Sequence, residues 1–181
     1  MTTLRATELK DAEQVAACIT QVAGERRYLA GTAGITAEQT RTFLTILQET
    51  AGVHLVAAEG NHIVGWCDVS PLTFDGMRHV GRLGMGLLPE HRQKGLGSAL
   101  LSLVLETAFQ KGLQRIELEV YASNQAAIRT FQKAGFVEEG RKRRARFLDG
   151  KWDDILVMGC LKDDDGKKKN TSGQEEASWQ P

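Results

Sequence analysis

Arg92-Gln93-Lys94-Gly95-Leu96-Gly97-Ser98 stands between Leu88-Pro89 and a run with helical apolar spacing, Leu100, Leu101, Val104, Leu105 and Ala108. This layout predicts a strand that ends, a short basic loop with glycines, and a helix that starts at once. Consecutive backbone N–H groups in such a loop point the same way, and the helix start adds about half a positive charge. Together they make an anion site. Gly95 and Gly97 let the backbone approach a pyrophosphate closely. Two familiar phosphate loops do not fit. A P-loop needs Gly-Lys-Ser/Thr at the helix start, and here Gly97 is followed by Ser98-Ala99. A dinucleotide fingerprint needs a third glycine, but Gly95-x-Gly97 has Leu100 there and Gly84-x-Gly86 has Pro89. Taken alone, the segment also suits an ordinary capped strand-to-helix turn.

A second group of reactive residue types lies in Arg115-Ile-Glu-Leu-Glu-Val-Tyr121. In a strand, Glu117, Glu119 and Tyr121 fall on one face. A carboxylate there can take a proton, or can simply be a solvated strand residue. Glu25, Arg26, Arg27 and Tyr28 form a third group, between two helical stretches. A carboxylate there suits a cation and an arginine suits a carboxylate, although any one of them also reads as a solvated loop residue. Arg141 to Arg146 holds five basic residues. Strand alternation splits them between two faces, and Glu138, Glu139, Asp149, Asp153 and Asp154 are close in sequence, so a salt-bridged hairpin is expected. His54, His62 and His91 have no ligand spacing, and no metal site is expected. Cys18, Cys67 and Cys160 form no paired framework and suit a reducing compartment.

The elements that must position these groups alternate in period. Thr7 to Gly24 reads as a helix with Ala12, Val15, Ala16 and Ile19 on one face, and Thr36 to Glu49 as a second with Thr36 as N-cap. Val53 to Val69 reads as two strands about Glu59-Gly60-Asn61-His62, which is hairpin chemistry. His79 to Leu88 reads as a strand whose Gly81, Gly84 and Gly86 suggest a bulge or a close backbone approach. The long helix covers Ser98 to Lys111, ended by Gly112. A strand Arg115 to Val120, a helix Asn124 to Ala134 and a hairpin turning at Asp149-Gly150 complete the body. The expected class is α/β, a mixed and largely antiparallel sheet with helices on both faces. Residues 1–161 form one domain, and residues 162–181, KDDDGKKKNTSGQEEASWQP, read as a flexible polar tail.

Bulk properties narrow the function classes. Lys plus Arg number 23 and Asp plus Glu number 23, so the formal net charge is zero. That lacks the electrostatic footprint of a dedicated nucleic-acid binder. The N-terminus turns polar at once, unlike a signal peptide, and no apolar run approaches the roughly 20 residues of a membrane helix. A soluble cytoplasmic chain with no membrane partner is expected.

Arg92-x-x-Gly95-x-Gly97, with Leu87-Leu88-Pro89 before it and Ala99-Leu100-Leu101 after it, resembles the acetyl-CoA pyrophosphate loop of the GNAT acetyltransferases. Further on, LEVYASNQAAIRTFQKAGF is similar to the family's second signature, with Asn124, Ala127, Phe131, Gly135 and Phe136 at the matching places. The likeness spans about Leu4 to Leu161. The C-terminal stretch from Gly135 resembles bacterial enzymes that acetylate free amino acids, polyamines or protein N-termini.

The resemblance implies acetyl-CoA as acyl donor, in a cleft between the strands His79–Leu88 and Arg115–Tyr121. The pantetheine arm would bond backbone at Leu87 and Leu88. The pyrophosphate would sit on Gln93, Lys94, Gly95, Leu96, Gly97 and Ser98, beside Arg92. Asn124 would hold the arm from the other side with Ala127 and Phe131 near it, and Lys133 would reach the phosphates. The stretch from Gly84 to Gly86 would carry the family's strand bulge. The reaction implied is direct attack of a primary amine on the thioester, with Glu119 as base. Phe131 stands where the family usually has an acidic tyrosine. Either the thiolate leaves unaided, its conjugate acid having a pKa of about 8.5, or Tyr121 protonates it, or the chain only binds acetyl-CoA. The acceptor is expected to be a small amine held near Glu25 and Tyr28. A protein N-terminus is the alternative, and a homodimer is compatible with this reading.

Overall fold

The computed structural model describes residues 2–162, so the expected tail, Lys162 apart, lies outside the described residues. The chain opens on a strand where the sequence pattern assigns no element, β1 (Thr2–Ala6). Its five residues are too few to show a clear alternation. Asp11 then caps a single 3-10 turn, accepting the Glu8 N–H at 2.9 Å and pairing with Arg5 at 2.6 Å. Helix α1 (Ala12–Gly24) therefore starts later than its apolar pattern suggests. Helix α2 (Ala37–Gln48) begins as expected at Thr36, whose hydroxyl accepts the Gln39 N–H at 3.1 Å while Gln39 returns a bond to the Thr36 N–H at 2.9 Å.

β2 (Val53–Glu59) and β3 (His62–Pro71) form the first hairpin, turning at Gly60 with φ +56°. β4 (Val80–Leu87) leads to α3 (Leu96–Gln110), then β5 (Arg115–Tyr121) to α4 (Gln125–Lys133). β6 (Val137–Leu148) and β7 (Lys151–Leu161) return through Asp149 and Gly150, both with positive φ, the mirror-type turn that matches strand twist. The described strands form one seven-stranded sheet in the order β1-β2-β3-β4-β5-β7-β6. All neighbours are antiparallel except β4 and β5, which the α3 crossover makes parallel.

Two apolar clusters sandwich the sheet. On one face Leu100, Leu101, Val104 and Ala108 of α3 pack with Cys67, Val69, Leu83, Ile116 and Leu118, joined by Ile128 and Phe131 of α4. On the other face Val15, Cys18 and Val22 of α1 pack on Val56, Ile63 and Trp66. Alternation along each strand sends one set of side chains to each helix layer. The mixed α/β class with helices on both faces is as expected.

Candidate active site

β4 and β5 separate. Their parallel pairing consists of Val80↔Arg115, Gly81↔Ile116 and Arg82↔Glu117, and beyond these each strand has its own partner. β4 stays on β3 as far as Gly65↔Leu87, and β5 stays on β7 as far as Tyr121↔Ile155. The sheet therefore opens into a cleft between the second halves of β4 and β5. The backbone on its β4 wall can be read from alternation. Val80 O accepts the Leu72 N–H and Leu88 N–H donates to Val64 O, each at 2.9 Å. Even-numbered residues of β4 thus face β3, and Met85 and Leu87 turn their backbone to the cleft. Leu88, expected to bond the pantetheine arm, has both backbone groups engaged, the carbonyl by the His91 N–H at 3.0 Å.

The Gly84–Gly86 stretch does not form the expected bulge. β3 and β4 keep an unbroken register there, and the bulge near the cleft is in β3, where Val64 is extra opposite Ala57 and Ala58. The β4 glycines have a packing cause instead. A Cβ on Gly86 would lie 2.3 Å from the Trp66 ring, and one on Gly81 would lie 2.4 Å from Val69.

At the C-terminal end of β4 a single 3-10 turn, Pro89–His91, feeds the basic loop. Gln93 and Gly95 both have left-handed backbone, φ +59° and +82°, and Gly95 is the N-cap of α3. The first helical bond runs from Ala99 N–H to Gly95 O at 3.1 Å. Leu96, Gly97 and Ser98 therefore have no intrahelical acceptor for their N–H groups. With Gln93 and Lys94 they form the loop at the end of β4 for which the sequence predicts an anion site.

Arg92 does something the sequence does not reveal. Its Nε donates to Leu87 O at 2.8 Å and its Nη1 to Glu25 at 2.8 Å, with a second short bond from Nη2 to the same carboxylate. The guanidinium stands 4.7 Å from the Tyr28 ring centroid. Glu25 holds the Arg92 pKa above its ordinary value. Three residues assigned to two separate roles thus meet in one cluster that ties the α1–α2 loop to the basic loop before α3. Arg26 adds a second tie. It bridges to Asp149 at 3.1 and 2.7 Å, and its carbonyl accepts from Arg146 at 2.5 Å.

On the β5 wall, Glu119 is exposed and ion-paired with Lys142 of β6. Tyr121 is buried, with Arg146 stacked 4.5 Å from its ring centroid. Asn124 is the N-cap of α4, its Oδ1 accepting the Ala127 N–H at 3.2 Å, which leaves its amide nitrogen for other partners. Phe131 is buried edge-to-face on Phe136 at 5.7 Å, and Lys133 is exposed at the helix end. The basic hairpin is paired in part as expected, with ion pairs at Arg141 and Lys142, while Arg144 uses its backbone and Arg146 a carbonyl and a ring. Arg141 pairs with Asp154 at 3.4 Å, and Arg144 donates its N–H to Asp154 at 2.8 Å across a register shift that breaks strict alternation. Among the described residues no group of three or more His, Cys, Asp or Glu is placed to hold a metal ion, and no helix is long and apolar enough to cross a membrane.

One residue at the cleft escapes the sequence reading. Asp68 of β3 lies opposite Gly84 of β4, half-buried, and a Cβ on Gly84 would sit 3.1 Å from its Oδ1. Desolvation pushes the Asp68 carboxyl up to about 7, against a downward pull from the Trp66 side chain. The signal in the sequence is a single acid inside the otherwise uncharged Ile63–Val69 run.

These features have counterparts in known proteins. The sequence profile of the Acetyltransferase (GNAT) family matches residues 20–136, more than half of the chain. The crystal structure of a GNAT-family acetyltransferase from Streptococcus pneumoniae superposes with a TM-score of 0.84 at 31% identity, over 89% of this chain and 99% of that one. A GNAT superfamily phosphinothricin acetyltransferase from Sinorhizobium meliloti, solved in complex with acetyl-CoA, shares the fold with a TM-score of 0.83 at 18% identity, over 88% of each chain. The L-amino acid N-acyltransferase MnaT of Escherichia coli (strain K12) is 30% identical over 105 residues, 58% of this chain and 61% of that protein. With a splayed β4–β5 pair beside the start of α3, the chain belongs to the GNAT family and is an acetyl-CoA-dependent N-acetyltransferase.

Proposed function

We propose that this N-acetyltransferase acetylates the primary amine of a small molecule, a free amino acid or a polyamine. The observation that carries the reading is the end of β4–β5 pairing at Arg82↔Glu117, which opens the sheet directly above the Gln93–Ser98 cradle. The amino-acid N-acyltransferase relative supports the first acceptor class. The anchored α1–α2 loop supports a confined acceptor. Its ties to Asp149 and Arg146 fix the loop against the β6–β7 hairpin, whereas a protein N-terminus needs an open groove.

Acetyl-CoA supplies an activated thioester carbonyl. On this reading its pyrophosphate takes the N–H groups of Gln93 to Ser98, and its arm bonds the cleft-facing backbone of Met85 and the Leu87 N–H as an added strand would, the Leu87 carbonyl being held by Arg92. The Asn124 amide and Lys133 serve the α4 side. Glu25 and Tyr28 act on the acceptor through the loop that Arg92 anchors. Glu119 draws the ammonium to the β5 wall, where the sequence reading places the base. Tyr121 supplies the nearby hydroxyl for the departing thiolate, while Phe131 donates nothing. A lysine-like amine arrives as an ammonium with a pKa of about 10.4, so a carboxylate on this face must favour its deprotonation.

Titration calorimetry with acetyl-CoA tests the donor half. Wild type is expected to bind. Gly95→Asp sets a carboxylate into the cradle and a side chain at φ +82°, and should lose binding by about tenfold or more. Equal binding by the two proteins, with unchanged circular dichroism, would remove the cradle from the account.

A further inference from the structure

Arg82 and Glu117, the last β4–β5 pair, bridge at 3.3 Å on the face opposite α3. The next residues on that face are Gly84 and Glu119, two positions on along each strand. Gly84 lies opposite Asp68, so Asp68, Gly84 and Glu119 stand at one level across three adjacent strands. The central position has no side chain. Adjacent strands are about 4.8 Å apart, so the two carboxylate-bearing strands are separated by about twice that spacing plus the splay. The gap between them is a notch over Gly84, in the cleft, on the α1 face where the acceptor loop is anchored.

We propose that Asp68 is the proton acceptor of the transfer reaction, receiving the acceptor's ammonium proton in the Gly84 notch while Glu119 orients the ammonium from the other wall. This rests on the small-amine reading above and names the group that performs its proton step. The two carboxylates differ in the way the division of labour requires. Glu119 is exposed and ion-paired with Lys142, so its carboxylate lies at the solvent side of the notch, where it can exchange that partner for the acceptor's ammonium. Asp68 is half-buried, no basic group contributes to its titration, and desolvation brings its carboxyl up to about 7. A base is most effective when its pKa lies near the working pH. The groups around it are defined. His54 of β2 lies beside it on the same level and is held neutral, its pKa pushed down to about 4 by burial. Trp66 is its hydrogen-bonding neighbour on β3. Arg82 of β4 is taken up by Glu117 of β5, and α1 presents Val15, Cys18 and Val22 to this face.

The step balances. The ammonium gives one proton to Asp68. The neutral nitrogen forms the C–N bond at the thioester carbonyl, the C–S bond breaks, and the second nitrogen proton ends on the coenzyme A sulfur. Asp68 then returns its proton to water.

The test compares Asp68→Asn with Glu119→Gln in released-thiol assays from pH 6 to 9, with L-methionine and spermidine as probes. Asp68→Asn should lower kcat/KM by about 10²-fold at pH 7, with the gap narrowing toward pH 9 as the amine deprotonates itself. Glu119→Gln should act mainly on acceptor KM and keep the wild-type pH profile. A pH-dependent loss in Glu119→Gln with none in Asp68→Asn overturns the assignment. Wild-type inactivity on both probes counts against the acceptor class, and a second measurement still decides on Asp68. With acetyl-CoA present, the Asp68 carboxyl ¹³C resonance, identified by its loss in Asp68→Asn, should shift as methylammonium chloride is added. A resonance that stays fixed overturns the proposal.

Discussion

At the scale of single residues, Asp68 and His54 tilt stability against pH in opposite directions. Asp68 in the folded chain holds its proton up to about pH 7, while an unfolded aspartate loses it near 3.8. Its raised pKa contributes stability that is present below pH 3.8 and lost as pH rises through 7. His54 is the reverse. Burial lowers it to about 4 from 6.5, so its contribution is present above 6.5 and lost as pH falls toward 4. Asp68→Asn removes only the first slope. Thermal melts should show the variant more stable than wild type at pH 8, with the advantage shrinking toward pH 5. A constant difference across that range would mean that Asp68 is not desolvated. A gain in stability with a loss in turnover is the pattern expected of a residue kept for chemistry. Among the candidate residues, those of the cradle were legible because glycine and a helix start have fixed backbone meanings. Asp68 was not, because nothing in a sequence places it opposite Gly84. The ties of Glu25 and Tyr28 to Arg92 were equally hidden, since 67 residues separate Glu25 from its partner.

At the scale of elements, the helices and hairpins were largely readable. The apolar stripe of α3 is the buried set, Thr36 caps α2, and Asp149-Gly150 turns the last hairpin. Strand glycines were misread. Gly81 and Gly86 give room to Val69 and Trp66 of the neighbouring strand, a tertiary cause that local pattern cannot express. β1 was missed because five residues carry too little period. The Arg92–Glu25 pair joins two elements with different roles, so its loss should be felt in the loop. Glu25→Gln leaves a neutral bond where a charged fork stood, a loss of about 1.5–3 kcal/mol in local stability. Hydrogen exchange at residues 25–29 should accelerate, with α3 unchanged. Unchanged exchange in the loop would show that the aromatic and hairpin ties hold it without Arg92.

At the scale of the whole molecule, the sheet is a continuous support with one planned interruption. Its two helix layers bury both faces, and the opening falls at the one parallel junction, beside the helix start with N–H groups that have no intrahelical acceptor. The mixed α/β class was legible from alternating periods, but the splay was not, because strand divergence depends on partners far apart in the chain. On the proposed function, this opening delivers acetyl from acetyl-CoA to a small primary amine. The most direct test offers acetyl-CoA and wild-type protein one mixture of the common amino acids, polyamines and short peptides with free N-termini, and identifies every acetylated product by mass spectrometry. N-acetylation of a free amino acid or polyamine is expected, abolished by Gly95→Asp. Acetylation of peptide N-termini alone, or no acetylated product at all, would contradict the proposed function.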